Sequence, residues 1–144
     1  MSSKDLPKIN FVLVCDDIRE EKNTNKVMLW GLYTQKMFLP SVPAMLPKLA
    51  MRLSLDMSKP IVEDIEVLVR RPDKAILGGM KGIKIEVPPE AGGEGNLNLV
   101  FSPFPVELAG EYEVVLEHNK KQVSKVAFEV VIRPAVTANC PPNK

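Results

Sequence analysis

Thirteen prolines and eight glycines are spread along 144 residues, so the chain is interrupted every few positions. Proline lacks the amide donor that a helix interior needs and fixes φ. Long helices do not survive punctuation at that density, whereas short strands separated by turns do. The length suits one domain, with a core large enough to fold without disulfide or metal staples. Apolar residues make up 45% and charged residues 26%, an ordinary balance for a folded domain and the wrong one for a disordered chain.

Alternation of apolar and polar residues locates the strands. In residues 9–15, Ile9, Phe11, Leu13 and Cys15 fall on one face, and Val12 and Val14 make the other face apolar too. Residues 16–26 form a polar connection with turn chemistry at Asn23-Thr24-Asn25. Residues 27–34 are a second strand, apolar on both faces, with Trp30 in the core. Residues 36–47 contain three prolines and are irregular. Residues 49–56 fit a helical face (Leu46, Leu49, Ala50, Leu53) or a strand face (Leu49, Met51, Leu53, Leu55). The strand is preferred because Pro47 limits a helix on its N-terminal side.

Further strands are expected over residues 61–70 and 80–87, and around Leu97, Leu99 and Phe101, with a flexible turn over 88–95. The clearest pair is last. Tyr112, Val114 and Leu116 point in, a short link at 118–121 makes a hairpin, and Val126, Phe128, Val130 and Ile132 point in again. The domain then spans residues 9–133, between an N-terminal extension (1–8) and a flexible Pro-containing tail (134–144). Seven or eight short strands with turn signals between them predict an all-β protein. The half-polar alternation makes it an antiparallel sandwich.

Lys plus Arg is 19 and Asp plus Glu is 18, so the net charge of +1 gives no electrostatic reason to expect a nucleic-acid or membrane-surface partner. No apolar run approaches the ~20 residues of a membrane helix. The start lacks an apolar signal core. With only Cys15 and Cys140, a disulfide scaffold is not indicated, and a reducing cytoplasm with free thiols is expected. The glycines match neither a phosphate loop nor a dinucleotide fingerprint. His118 is the one histidine, and no zinc spacing exists. No catalytic residue, metal or cofactor is therefore expected, and the chain reads as a non-enzymatic interaction or assembly module.

Two segments are candidates for function. Asp16, Asp17, Glu20 and Glu21 gather around Arg19, Lys22 and Lys26. They read either as a solvated loop or as a divalent-cation or small metal-dependent enzyme site. Beside them, Cys15 reads as a small buried residue rather than a nucleophile, since neighbouring carboxylates raise a thiol pKa. The second segment, residues 36–46, is apolar and Pro-interrupted. Its Met37, Phe38, Leu39 and Met45 either meet a protein partner or a second copy, or close the end of the sandwich. A second apolar face around Trp30 would also suit a dimer interface.

The stretch LAGEYEVVL at 108–116 resembles the penultimate strand of immunoglobulin-like sandwiches, and the resemblance implies that Tyr112 is a corner tyrosine bonded to nearby backbone. The stretches FVLVCDDIREE at 11–21 and KVMLWGLY at 26–33, with a later Leu-Pro-x-Leu and the Gly-Glu-Tyr at 110–112, resemble the DUF6941-like family of small bacterial proteins of unknown function. That resemblance extends over residues 8–133 and implies a β-sandwich, without an activity.

Overall fold

The structure, a computed structural model, describes residues 6–24, 26–34, 36–87 and 92–134. Cys140, the tail beyond Pro134 and part of the 88–95 turn lie outside the described residues. Within them the chain forms strands and no helix: β1 (Lys8–Cys15), β2 (Asp17–Glu20), β3 (Val27–Trp30), β4 (Met37–Leu39), β5 (Ala44–Leu46), β6 (Leu49–Asp56), β7 (Ile61–Arg70), β8 (Ile76–Glu86), β9 (Glu94–Phe101), β10 (Phe104–Val106), β11 (Gly110–His118) and β12 (Lys121–Ile132).

Two sheets enclose the core. One has the order β1-β6-β9 and the other β4-β12-β11-β7-β8, with two small pairs, β2-β3 and β5-β10, attached. Pairing is antiparallel except where β4 runs parallel to β12, with Met37 opposite Val130. A parallel neighbour needs a crossover rather than a hairpin. Here the chain crosses from the edge of one sheet to the edge of the other between β1 and β4. Leu49, Met51, Leu53 and Leu55 of β6 are fully buried against Val67, Val69, Tyr112, Val114 and Leu116 of the facing sheet. The strand reading of 49–56, with Ala50, Arg52 and Ser54 on the opposite side, therefore matches the structure.

β11 and β12 join through Asn119 and Lys120, with φ of 51° and 65°. Positive φ at both central residues gives the turn a twist that matches the flanking strands. Tyr112 is buried, and its hydroxyl donates to the carbonyl of Leu108 at 2.7 Å, which makes it a corner tyrosine. Replacing Tyr112 with phenylalanine leaves that carbonyl without its partner, and denaturant unfolding is expected to register a loss of about 1 kcal/mol.

Several sequence expectations are corrected. A bulge between Ile9 and Phe11 breaks the alternation of β1. Ile9 and Val14 are buried in the core, while Phe11 is exposed on the outer face. A bulge extra residue shifts every later side chain to the other face. The same device acts in β7, where Asp64 has φ 59° and register shifts between Val62 and Ile65. Val62 consequently joins Ile65 in the core. β8 begins at Ile76, four residues before the predicted start. Residues 16–26 are not a plain connection, since Asp17–Glu20 pairs with Val27–Trp30 as a hairpin. The strand predicted over 27–34 stops at Trp30, and Trp30 is not core: it is 54% exposed.

Candidate functional site

The insertion between β1 and β4 carries the features of interest. In the β2–β3 hairpin, Asp17 lies opposite Trp30 and Arg19 opposite Met28. Side chains alternate across a strand, so Met28 and Trp30 share one face and Ile18 and Leu29 the other. The Ile18/Leu29 face is partly buried, whereas Met28 is 46% and Trp30 54% exposed. The hairpin is tied to the three-stranded sheet by Lys48 Nζ to Asp17 Oδ1 at 2.7 Å and by Asn98 Nδ2 donating to Glu20 Oε1 at 2.7 Å. It explains why Cys15 and Ala50, which pair with each other and lie outside the core cluster, are completely buried. Burial pushes the Cys15 thiol pKa up, and the Asp16 and Asp17 charges push it further.

The acidic residues diverge. Asp16 accepts from the Tyr33 hydroxyl at 3.3 Å, and its own N–H donates to the Trp30 carbonyl at 2.8 Å. Asp17 turns instead to Lys48 and to Arg19 Nε at 3.3 Å, and Lys48 chiefly holds its carboxyl below the usual range. Burial, then the Asp16 charge, raises the Tyr33 pKa. Asp16, Asp17 and Glu20 thus each have their own partner. Among the described residues no group of three or more His, Cys, Asp or Glu is placed to hold a metal.

Gly31 follows β3 with φ +65°, and a Cβ there would lie 2.1 Å from Asp16 Oδ2. Gly31→Ala must therefore displace Asp16 as well as strain the backbone. Faster exchange of the Asp16 amide and higher Trp30 mobility are expected, measured by NMR.

Beyond Gly31 the chain rejoins β1, where the Tyr33 N–H donates to the Val14 carbonyl at 2.9 Å. It then crosses to β4, and under the crossing a pocket of about 260 Å³ opens between the sheets. Val12, Val14, Tyr33, Met37 and Phe128 give it an apolar wall, and Lys36 and Glu129, paired at 3.3 Å, stand beside it. Of the four residues read as a partner-binding loop, Met37 and Leu39 turn into the core, because alternate side chains of β4 face inward. Phe38 faces out with the Arg133 guanidinium 4.5 Å from its ring centre, and Met45 is 63% exposed on β5. The sequence reading missed Tyr33 and Phe128. Only the Gly31-Leu32-Tyr33 punctuation hinted at the first.

Two packed sheets, joined edge to edge by the crossing between β1 and β4 and closed by a corner tyrosine, define an immunoglobulin-like β-sandwich protein. The chain belongs to DUF6941, a family of unknown function, whose model matches residues 10–131. Among solved structures it is similar to an immunoglobulin-like protein from Pseudomonas aeruginosa, at 12% identity and a TM-score of 0.38, over 90% of this chain and 100% of that one. It is also similar to part of a β-glucosidase from Kluyveromyces marxianus, at 17% identity and a TM-score of 0.36, over 71% of this chain and 15% of that one. No curated protein matches. Among the described residues no helix is long and apolar enough to cross a membrane.

Proposed function

We propose that the protein is a non-enzymatic protein-interaction module, working in a reducing cytoplasm, and that it meets its partner with the side of the sandwich built by β1, the β2–β3 hairpin and β4. The observation that carries this reading is Trp30, the one tryptophan of the chain, held more than half exposed on a hairpin whose exposed face adds nothing to the core. Tryptophan and methionine are enriched at the centres of protein interfaces, and an exposed pair of them on a surface insertion fits that use. Leu32 and Phe38, also exposed, follow within the same insertion and its exit strand. The non-enzymatic part is supported by the separate engagement of Asp16, Asp17 and Glu20, which turn to Tyr33, Lys48 and Asn98 rather than to one common point.

Site-specific photo-crosslinking in the native cell tests the reading. A photoreactive phenylalanine analogue at position 30 is expected to give a discrete adduct, and the same probe at Ile76, equally apolar and exposed on β8, none. Absence of any adduct at position 30, or identical adducts from both positions, overturns it.

A further inference from the structure

The β2–β3 hairpin lies over the outer face of the three-stranded sheet without joining it. Among the described residues its ladder is a sheet of two strands only. A hairpin alone is at best marginally stable in water, so its contacts with the sheet must hold it in place. Paired residues share a face, which puts Ile18 with Leu29 and Glu20 with Val27 on its underside. The three apolar ones are all only partly buried. The polar ties are few and wet. Lys48 Nζ reaches Asp17 Oδ1 at 2.7 Å from a side chain 43% exposed, and Asn98 Nδ2 donates to Glu20 Oε1 at 2.7 Å near the surface. Exposed ties of this kind each contribute little.

The hairpin covers one end of a row. Cys15, Ala50 and Val100 pair in turn across β1, β6 and β9, so they share the outer face of that sheet. Val100 is 49% exposed, whereas Cys15 and Ala50 are completely buried. The Cys15 thiol donates to the carbonyl of Asp17, the first residue of the hairpin, at 3.4 Å.

Both strands of the hairpin leave the sandwich at one point. The Asp16 N–H donates to the Trp30 carbonyl at 2.8 Å, and Gly31, at φ +65°, lies against the Asp16 side chain. Just beyond, the Tyr33 N–H holds the chain to the Val14 carbonyl at 2.9 Å. A rotation about Asp16 and Gly31 therefore swings the hairpin while its own ladder and the ladders of the sandwich stay intact. Segments with few buried contacts and exposed ties open at free energies well below that of global unfolding.

We propose that the β2–β3 hairpin is a flap that opens as a unit about Asp16 and Gly31 while the sandwich stays folded, uncovering the Cys15–Ala50 end of the row. Met28 and Trp30 ride on the flap, so its position sets where the surface offered to a partner stands. Only that consequence rests on the interaction reading.

The Cys15 thiol reports the opening. In the full chain carrying Cys140→Ser it is the one thiol left. Its alkylation by iodoacetamide, read by mass spectrometry, is followed across low urea concentrations beside the global unfolding curve. Alkylation is expected to run far faster than global unfolding permits and to change little with urea, because opening a flap exposes little surface. Lys48→Ala and Asn98→Ala are each expected to speed it about two- to fivefold. Tyr112→Phe weakens the facing sheet and is expected to leave the rate unchanged. The flap is overturned by alkylation that rises with urea as steeply as global unfolding does and gains about fivefold with Tyr112→Phe. It is equally overturned by urea-independent alkylation that neither tie variant accelerates. The urea dependence of the Cys140→Ser chain stands without the other variants. None of these outcomes bears on the crosslinking at position 30, so the flap and the interaction reading fail separately.

Discussion

Replacing Phe104 with alanine is expected to destabilise the domain by about 4 kcal/mol. The ring is fully buried. It stands edge-on to Phe101 at 5.4 Å between centroids and 6.3 Å from Tyr112, which in turn stacks on Phe128 at 5.4 Å. Its strand, β10, is only three residues long and pairs with β5 alone. The ring, more than the ladder, therefore anchors the end of the sandwich. Truncation leaves a cavity that neighbouring rings fill poorly, since each is fixed by its own strand. The thermal midpoint is expected to fall by more than about 10 °C, read by calorimetry. A fall of only a degree or two would mean that the β5–β10 pair closes over the gap.

The second large effect concerns charge. Glu113 points away from the core, yet its side chain is only 4% exposed, and its two oxygens each accept from a lysine at 3.0 Å, Lys74 on one side and Lys125 on the other. These bonds, Lys74 first, pull its pKa from 4.5 down to about 2. A depressed carboxyl stabilises the fold above its unfolded-state pKa, and that contribution disappears as pH falls from about 4.5 through about 2. Both lysines are more than half exposed, so solvent weakens the pairs. Glu113→Gln is expected to cost about 2 kcal/mol at neutral pH, less than full burial would imply. The difference from wild type should vanish near pH 2. Asp73, held down by Arg71, also gains its proton in this range. The informative quantity is therefore the wild-type minus variant difference, followed by urea unfolding across pH. A difference that stays constant with pH would mean that Glu113 contributes through packing rather than charge.

Much of the scaffold was legible because its strands obey one period over many residues. β6 alternates from Leu49 to Leu55 and β12 from Val126 to Val130, and Gly110-x-Tyr112 announced the corner, whereas Ile132, expected inside, is exposed. The failures have local physical causes. In β1 a single bulge moved Ile9 to the opposite face from Phe11, a shift that no periodicity encodes. β2 (DIRE) is polar and short, and it is a strand only because β3 pairs with it. β4, β5 and β10 are three residues each and lie among prolines, below the length at which alternation is readable.

VMLW is apolar throughout, which suggests a core position for Trp30, but a pattern apolar on both faces cannot say which face meets water. The acidic cluster was visible in sequence, but its division between Tyr33 and Lys48 depends on residues 17 and 31 positions away along the chain. The pocket was invisible for the same reason. Val12, Tyr33 and Phe128 meet only through sheet packing.

The functional reading stands on Trp30 being a surface residue, and its fluorescence reports on that directly because no other tryptophan contributes. The decisive measurement is the emission spectrum and iodide quenching of the purified chain, diluted far enough to keep it monomeric. The expected result is a water-like emission maximum with quenching close to that of a free indole, as a side chain 54% exposed on β3 requires. A blue, shielded emission at the same dilution would contradict the account, for it would place Trp30 in the core and remove the surface on which the interaction reading depends.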